Sequence, residues 1–355
     1  MITMRRSLLA VSPLVAFLLA GSSGCQRLDA EPSRENLEAM SRLAHPPTVD
    51  RRSAWKEIDR LLEEAKLQEA SDRLVPLVAA ARASGDDAEL AKALVRQSQV
   101  TMALGGMETA VIKLKAEAWP KESVARAAVE LYYAHVLLDY FSSYDWEIRE
   151  RERVISDDTV DLKAWTADQI AGEAERSFLA AWDRRAGLAA VPVVDFPYLR
   201  KNDYPPGIRD SLRDAVTYLF VERMLGDTRY WSAAESNNVW QLDLTNLLAD
   251  TPDVSPTGGV PGISGPSGPS DRRVHPLLRA ASVLADLERW HRTRKEADAA
   301  LEARLTRQRL LFAHRTSAAD RQQLIASLRS RLDRERATPW WSEGMAELAG
   351  EIDPG

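Results

Sequence analysis

From Asp50 onward, apolar side chains recur at a period near 3.6 residues, the spacing of a helix with one buried face. Trp55, Ile58, Leu61, Leu62 and Ala65 form the first stripe, with Asp50 placed to cap it. Leu74, Leu77, Val78 and Ala81 form the second, which ends at Ser84-Gly85. Leu90, Leu94 and Met102 follow and stop at Gly105-Gly106. Ala110, Ile112, Leu114 and Trp119 predict a short helix closed by Pro120, and Ser123 opens a long one through Leu131, His135, Leu138 and Phe141. Asp157, Asp158 and Asp161 precede a further helix with Trp165, Ile170, Phe178 and Trp182. A Pro-rich connection, Gly187 to Ile208, leads to a helix predicted from about Arg209 to Gly226. After the Pro/Gly/Ser segment Thr251 to Pro269, helical spacing resumes through Leu277, Leu284, Leu287, Trp290, Leu301, Leu305, Leu310 and Phe312. Strand-like alternation is almost absent.

Short Gly-containing turns between these stripes predict an all-α fold, an irregular antiparallel helix-pair array of solenoid or bundle type. Such pairs suggest a tetratricopeptide-like stack, but no Trp, Leu-Gly and Tyr pattern recurs at its 34-residue period. The predicted organisation is a signal peptide over 1–24, a tether over 25–49 and a helical domain over 50–250. A flexible linker over 251–273 and a C-terminal helical segment over 274–350 complete it.

Composition narrows the classes of function. A chain of 355 residues at 45% hydrophobic and 28% charged, with ten Trp, has ample material for a packed core. Its net charge of -6 argues against dedicated nucleic-acid binding. Only nine of the 47 basic residues are Lys, an excess of Arg consistent with a GC-rich genome rather than a binding task. A single cysteine, Cys25, excludes a disulfide framework.

That cysteine sits at the most informative point in the chain. Arg5 and Arg6 precede an apolar run of 13 residues, Leu8 to Ala20, interrupted only by Ser12 and Pro13. The run is too short to span a bilayer comfortably and has the layout of a secretory signal. Gly21-Ser22-Ser23-Gly24-Cys25 resembles the cleavage site of a bacterial lipoprotein, although Ser22 stands where Leu is usual. The resemblance implies lipidation at Cys25, whose acyl chains would hold the mature protein on a membrane. Gln26, not Asp, follows the cysteine and favours the outer membrane. The expected location is periplasmic and lipid-anchored.

Candidate chemistry is sparse. Ser53-Ala-Trp-Lys56 has the Ser-x-x-Lys spacing of penicillin-recognising acyl transferases, but Ser-Asp-Asn and Lys-Thr-Gly are missing. With Trp55 facing inward, Ser53 and Lys56 fit the solvated start of a helix. His45, His135, His275, His291 and His314 never adopt zinc-ligand spacing. Asp157 and Asp158 read more simply as helix-start acids than as paired catalytic carboxylates. Proline removes the amide donors that a phosphate cradle would need from the Gly-rich stretch. Between Arg289 and Arg336, acids such as Glu296, Asp298 and Glu302 alternate with arginines, the pattern of a solvated helix with i,i+4 pairs. No catalytic residue, cofactor or metal is expected.

The helical order also resembles the α-helical N-terminal region of bacterial alpha-2-macroglobulin-family lipoproteins. The resemblance is carried by Trp55 to Asp59 with Leu61-Leu62, Lys92 to Leu94, and Asp157-Asp158 with Leu162 and Trp165. It is densest from Val194-Asp195-Phe196 through Asn202-Asp203-Tyr204 and from Ile208 to Phe220. There Arg209, Leu212 and Asp214 fit the family's Arg-Pro-Thr-Leu-Tyr-Asp-Phe-like string, while Asp210, Ser211, Arg213 and Ala215 depart from it. Leu287 to Trp290, Ala313-His314 and Ala346 to Ile352 continue the register. The bait region, β domains and Cys-Gly-Glu-Gln thioester of such inhibitors have no counterpart between Met1 and Gly355, so no trapping chemistry is implied for any residue here. The resemblance implies a non-enzymatic, lipid-anchored module of a protease-inhibitor system, whose partner is an envelope protein or a protease. The alternative is a tetratricopeptide-like scaffold that binds a peptide in a groove lined by Tyr132, Tyr133 and Tyr140.

Overall fold

The computed structural model describes residues 50–151, 162–199, 202–255 and 268–353. These residues belong to one compact unit. They form fifteen α-helices and no extended strand, so the all-α helix-pair array is the fold. Cys25, the leader, the tether, His45, Asp157, Asp158 and Asp161 lie outside the described residues.

The first half is built from α1 (Arg51–Glu63), α2 (Leu67–Ser84), α3 (Asp87–Ala103), α4 (Met107–Ala116) and α5 (Ser123–Ser143). Asp50 caps α1 by accepting the Ser53 amide. Left-handed residues then turn the chain: Ala65 at φ 56°, Gly85 at φ 67° and Gly105 at φ 88°. A left-handed residue leaves the helix axis within one or two positions, and each successive helix folds back on the last. Trp55 joins α1 to α3 through a 2.6 Å hydrogen bond from Nε1 to Glu89, with the Lys92 ammonium 3.8 Å from its ring centroid.

Helix α5 is largely buried because α3, α4 and α7 (Ala167–Trp182) pack around it. Tyr132, Tyr133 and Tyr140 are core residues here, which corrects the expectation that they line an open groove. The reason is the sequence of α5 itself, whose apolar positions extend well beyond one stripe and leave only a narrow face at His135 and Asp139 partly exposed. Burying such a side chain contributes about 1.5–3 kcal/mol, so the tyrosines are more valuable to the core than to a surface.

Between α5 and α7 lies α6 (Asp145–Arg149), and α8 (Arg185–Leu188) follows α7. α7 starts at Thr166, whose hydroxyl accepts the Gln169 amide while Gln169 returns a bond to the Thr166 amide. The next helix, α9 (Leu212–Phe220), begins three residues later than predicted, at a second reciprocal cap of Ser211 and Asp214. Arg209 cannot be helical, since its φ is 57°. α9 continues as one π turn, Val221–Leu225.

The remaining helices are α10 (Ala233–Asn238), α11 (Leu244–Leu248), α12 (Pro276–Thr293), α13 (Ala297–His314), α14 (Ala318–Arg334) and α15 (Trp341–Ile352). One apolar cluster draws Trp231, Leu242, Leu244 and Leu247 from before the Pro/Gly/Ser segment and Leu277, Leu305, Leu328 and Leu348 from after it. The chain therefore shares one core across that segment. α13 corrects the solvated reading of Arg289 to Arg336: Glu302, Arg304, Thr306, Arg307 and Gln308 are buried, because α12, α14 and α15 enclose the helix. Within that stretch α14 keeps a single stripe, with Leu324, Leu328 and Leu332 inward.

Candidate functional site

The surface relief of the described residues concentrates on the segment that precedes α9. Pro192 and Ser211 form an isolated antiparallel bridge, with the Val193 amide 2.7 Å from Asp210 O and the Leu212 amide 2.7 Å from Val191 O. This neck closes the Pro192–Ser211 segment into a loop. Proline at 192, 197, 205 and 206 fixes φ and removes amide donors, so the loop is held from elsewhere. Asn202 supplies much of that: its side-chain amide donates to Ile208 O, Arg209 O and Asp210 Oδ1, and its Oδ1 accepts the Tyr204 amide. Gly207 at φ 90° donates its amide to Asp210 Oδ2. Gln99 of α3 reaches the buried Tyr198 carbonyl at 2.7 Å and pins the far side.

Arg209 is the node of this arrangement. Its left-handed backbone aims the side chain back beneath the loop, where 12% of it is exposed. The guanidinium carbon stands 4.3 Å from the Tyr204 ring centroid and 3.7 Å from that of Tyr218. Its two terminal nitrogens pair with Glu222 of α9 and Glu302 of α13, each at 2.7 Å. Glu302 is fully buried and also takes Arg309 at 2.6 Å and the Trp340 indole N–H at 2.9 Å. Arg309 pairs in turn with Glu347 of α15. Burial pushes the Glu347 carboxyl up to about 7 and outweighs the opposing pull of Arg309, while Glu302 adds repulsion. Burial also raises the hydroxyl of Tyr204, and that of Tyr218 far above the usual tyrosine value. Two guanidiniums thus face three carboxylates, Glu222, Glu302 and Glu347.

Two concavities open on this node. A small cavity of about 100 Å³ lies between Val193, Asn202, Tyr204, Arg209, Leu219 and Glu222. Beside it is a wider, mostly apolar depression of about 660 Å³, walled by Pro192, Val194, Pro197, Tyr204, Pro206 and Asp210. Val193, Asn202 and Tyr204 belong to both, so they are two parts of one surface. Val194 is 76% exposed on its rim.

A third cleft, of about 370 Å³, lies on the other side of the neck. It is bordered by a chain of polar contacts: Ser211 Oγ donates to Asp214 Oδ2 at 2.6 Å, and His291 Nε2 lies 2.7 Å from Asp214 Oδ1. His291 Nδ1 lies 2.8 Å from Glu296. Nucleophilic catalysis needs the imidazole between hydroxyl and carboxylate, so that it can take the hydroxyl proton. Here the carboxylate stands between them, and Ser211 is engaged as the cap of α9. The arrangement ties α9 to α12.

The structure does not bring the sequence-predicted residues together. Ser53 and Lys56 are both exposed at the start of α1. His135 faces Asp139 at 3.3 Å, His275 caps α12, and His314 contacts Gly226 O at 3.1 Å. No group of three or more metal-ligating side chains occurs among the described residues. The loop surface was visible in the sequence only as a Pro-rich connection. The cluster Asn202-Asp203-Tyr204-Pro205-Pro206-Gly207 is the signal for a built turn, while the 93-residue reach from Arg209 to Glu302 has no local signature. No protein-family model, curated protein or solved structure matches the chain.

Proposed function

We propose that this chain is a lipid-anchored, non-catalytic helical scaffold of the bacterial periplasm that docks an envelope protein on the Pro192–Ser211 loop. Cys25, the sole cysteine, at the end of a leader with a basic start and an apolar run of 13 residues, supports the anchor. The observation that carries the docking role is the loop surface itself: rigid prolines, an exposed valine and a braced floor adjoin one cavity. Function often resides on loops held by a rigid scaffold, and an apolar depression with a few placed polar groups is the usual form of a binding site. Cys25 chains would hold that loop near the membrane and raise the local concentration of a membrane partner.

A second reading makes the partner part of a protease-trapping system. Its support is positional: the densest stretch of the alpha-2-macroglobulin-family resemblance, Val194 to Tyr204 and Ile208 to Phe220, coincides with the loop and α9. The test is a photo-crosslinking residue at position 194 of the full-length chain, expressed with its own leader in a bacterium. A control probe sits at position 75, on the exposed face of α2. An envelope protein captured from 194 and not from 75 supports docking, and a captured protease or inhibitor subunit selects the second reading. Equal capture from both positions, or none, rejects the loop as the docking surface.

A further inference from the structure

Helix α12 opens on Pro276, which has no amide hydrogen, so the first donor that needs a partner is the amide of the buried Leu277. His275 Nδ1 accepts it at 3.1 Å. The other ring nitrogen, Nε2, stands 2.9 Å from the Glu235 carbonyl of α10. An amide N–H can only donate and a carbonyl can only accept, so the two contacts together fix the ring as the neutral form with its proton on Nε2. His275 is buried and joins α10 to the start of α12. Trp231 packs between it and a second imidazole: the indole centroid is 5.0 Å from His275, edge-on, and 4.8 Å from His314 at the end of α13. The Trp231 indole N–H donates to Leu225 O of the π turn at 2.9 Å. Trp231, Glu235 and Pro276 also line a cleft of about 280 Å³, together with Gly172, Glu175 and Arg279.

A second proton has one place to go, Nδ1, and there it sets an N–H against the N–H it used to accept. It also places a positive charge at the end of α12 where the helix dipole is positive. From α10, the Glu235 carboxylate attracts that charge, but it is committed to the Ser232 amide at 2.7 Å. From α13, His314 repels it and is itself faced by Asp227. On its own helix Arg279 is paired with Glu175 of α7, and just before the helix Asp271 is paired with Arg273. Attraction of an imidazolium to the Trp231 ring is open to His314 as well, which stands at a helix C-terminus, where the dipole favours a cation. Burial, the largest influence, holds His275 below the usual histidine value. We propose that His275 is an acid-operated latch. Neutral, it fastens α10 and Trp231 to the start of α12; protonated, it leaves the cap and releases them, which widens the cleft. Because the folded-state value is the lower one, this stabilisation is present above about pH 6.5 and is lost as pH falls.

The test is hydrogen–deuterium exchange mass spectrometry on the full mature chain at about pH 7.5 and about pH 5, with rates corrected for intrinsic exchange. A local readout separates the latch from Glu347, whose raised carboxyl stabilises the fold on acidification. At the lower pH, peptides covering α10 and the first turns of α12 exchange about tenfold faster, the effect of one pKa unit at a single site, while α3 and α5 do not change. His275→Asp offers the Leu277 amide a carboxylate cap at both pH values and abolishes the difference. His314→Gln keeps a donor for Gly226 O and leaves the difference in place. Nitrogen-15 NMR of histidine-labelled wild-type protein at about pH 7.5 reads the ring directly and finds Nδ1 of His275 unprotonated, so the outcome does not depend on either variant folding. A proton on Nδ1 at that pH, an acid response spread evenly over the chain, or no response overturns the inference. A response that survives in His275→Asp, or that His314→Gln abolishes, overturns it as well.

Discussion

Glu288 of α12 holds four guanidiniums with one carboxylate. Arg292 and Arg331 meet one oxygen, Arg304 and Arg307 the other, and the side chain is 4% exposed. Burial first, and Arg304 second, push Arg307 below the ordinary arginine range, and the charge of Glu288 opposes both. Removing one partner of a buried ion cluster leaves uncompensated charge, at a cost of about 3–5 kcal/mol. Glu288→Gln should therefore lower Tm by many degrees, measured by differential scanning fluorimetry, whereas Glu57→Gln at the surface should change it little. Glu347 makes a pH prediction. Its carboxyl is raised to about 7 in the folded chain, against an unfolded value near 4.5. Between these values the folded state keeps a proton that the unfolded state has lost, so stability falls as pH rises through the window. The stabilisation is complete below about pH 4.5 and gone above about 7, with a magnitude on the order of 3 kcal/mol. Glu347→Gln should flatten this slope in urea titrations between pH 5 and 8; an unchanged slope would assign the pH dependence elsewhere. At this scale the sequence was legible where the partner is local, as in the Asp50 cap. It was silent where the partner is remote, as in Arg209 with Glu302 or Glu288 with Arg331.

Helices and their turns were the most legible level, because periodicity and Gly positions are written along the chain. Gly85 closes α2 in the left-handed region with no atom within 4 Å of an added Cβ. Gly85→Ala should therefore cost about 1 kcal/mol through backbone strain alone. Gly350 lies inside α15 in equally open space, so Gly350→Ala should stabilise by about 0.5–1 kcal/mol. Chemical denaturation of the two variants checks the opposite signs. The start of α9 was missed by three residues because Arg209, a good helix former, is held left-handed by tertiary contacts that propensity cannot express. α13 was misread for a related reason. Acids and arginines at i,i+4 spacing look alike on a solvated face and in a buried network, and only the helices around α13 tell them apart.

For the molecule as a whole, a Pro/Gly/Ser run reads as a boundary, yet Trp231, Leu244 and Leu247 pack with Leu277, Leu305 and Leu348 across it. Low-complexity sequence records that a segment contributes little to a core, not whether the flanking helices share one. The shared core predicts a single cooperative thermal transition, with coincident midpoints by far-ultraviolet circular dichroism and tryptophan fluorescence. Two separated transitions would mean that the helices after the segment fold alone. The central claim is that this helical array works from a membrane surface through Cys25. It is tested most directly by the intact mass of the protein extracted from membranes of a bacterium expressing the full chain. The account predicts a chain that begins at Cys25 and carries acyl chains, with Cys25→Ser released from the membrane fraction. An unacylated chain, or a Cys25→Ser variant that stays with the membrane, would contradict it.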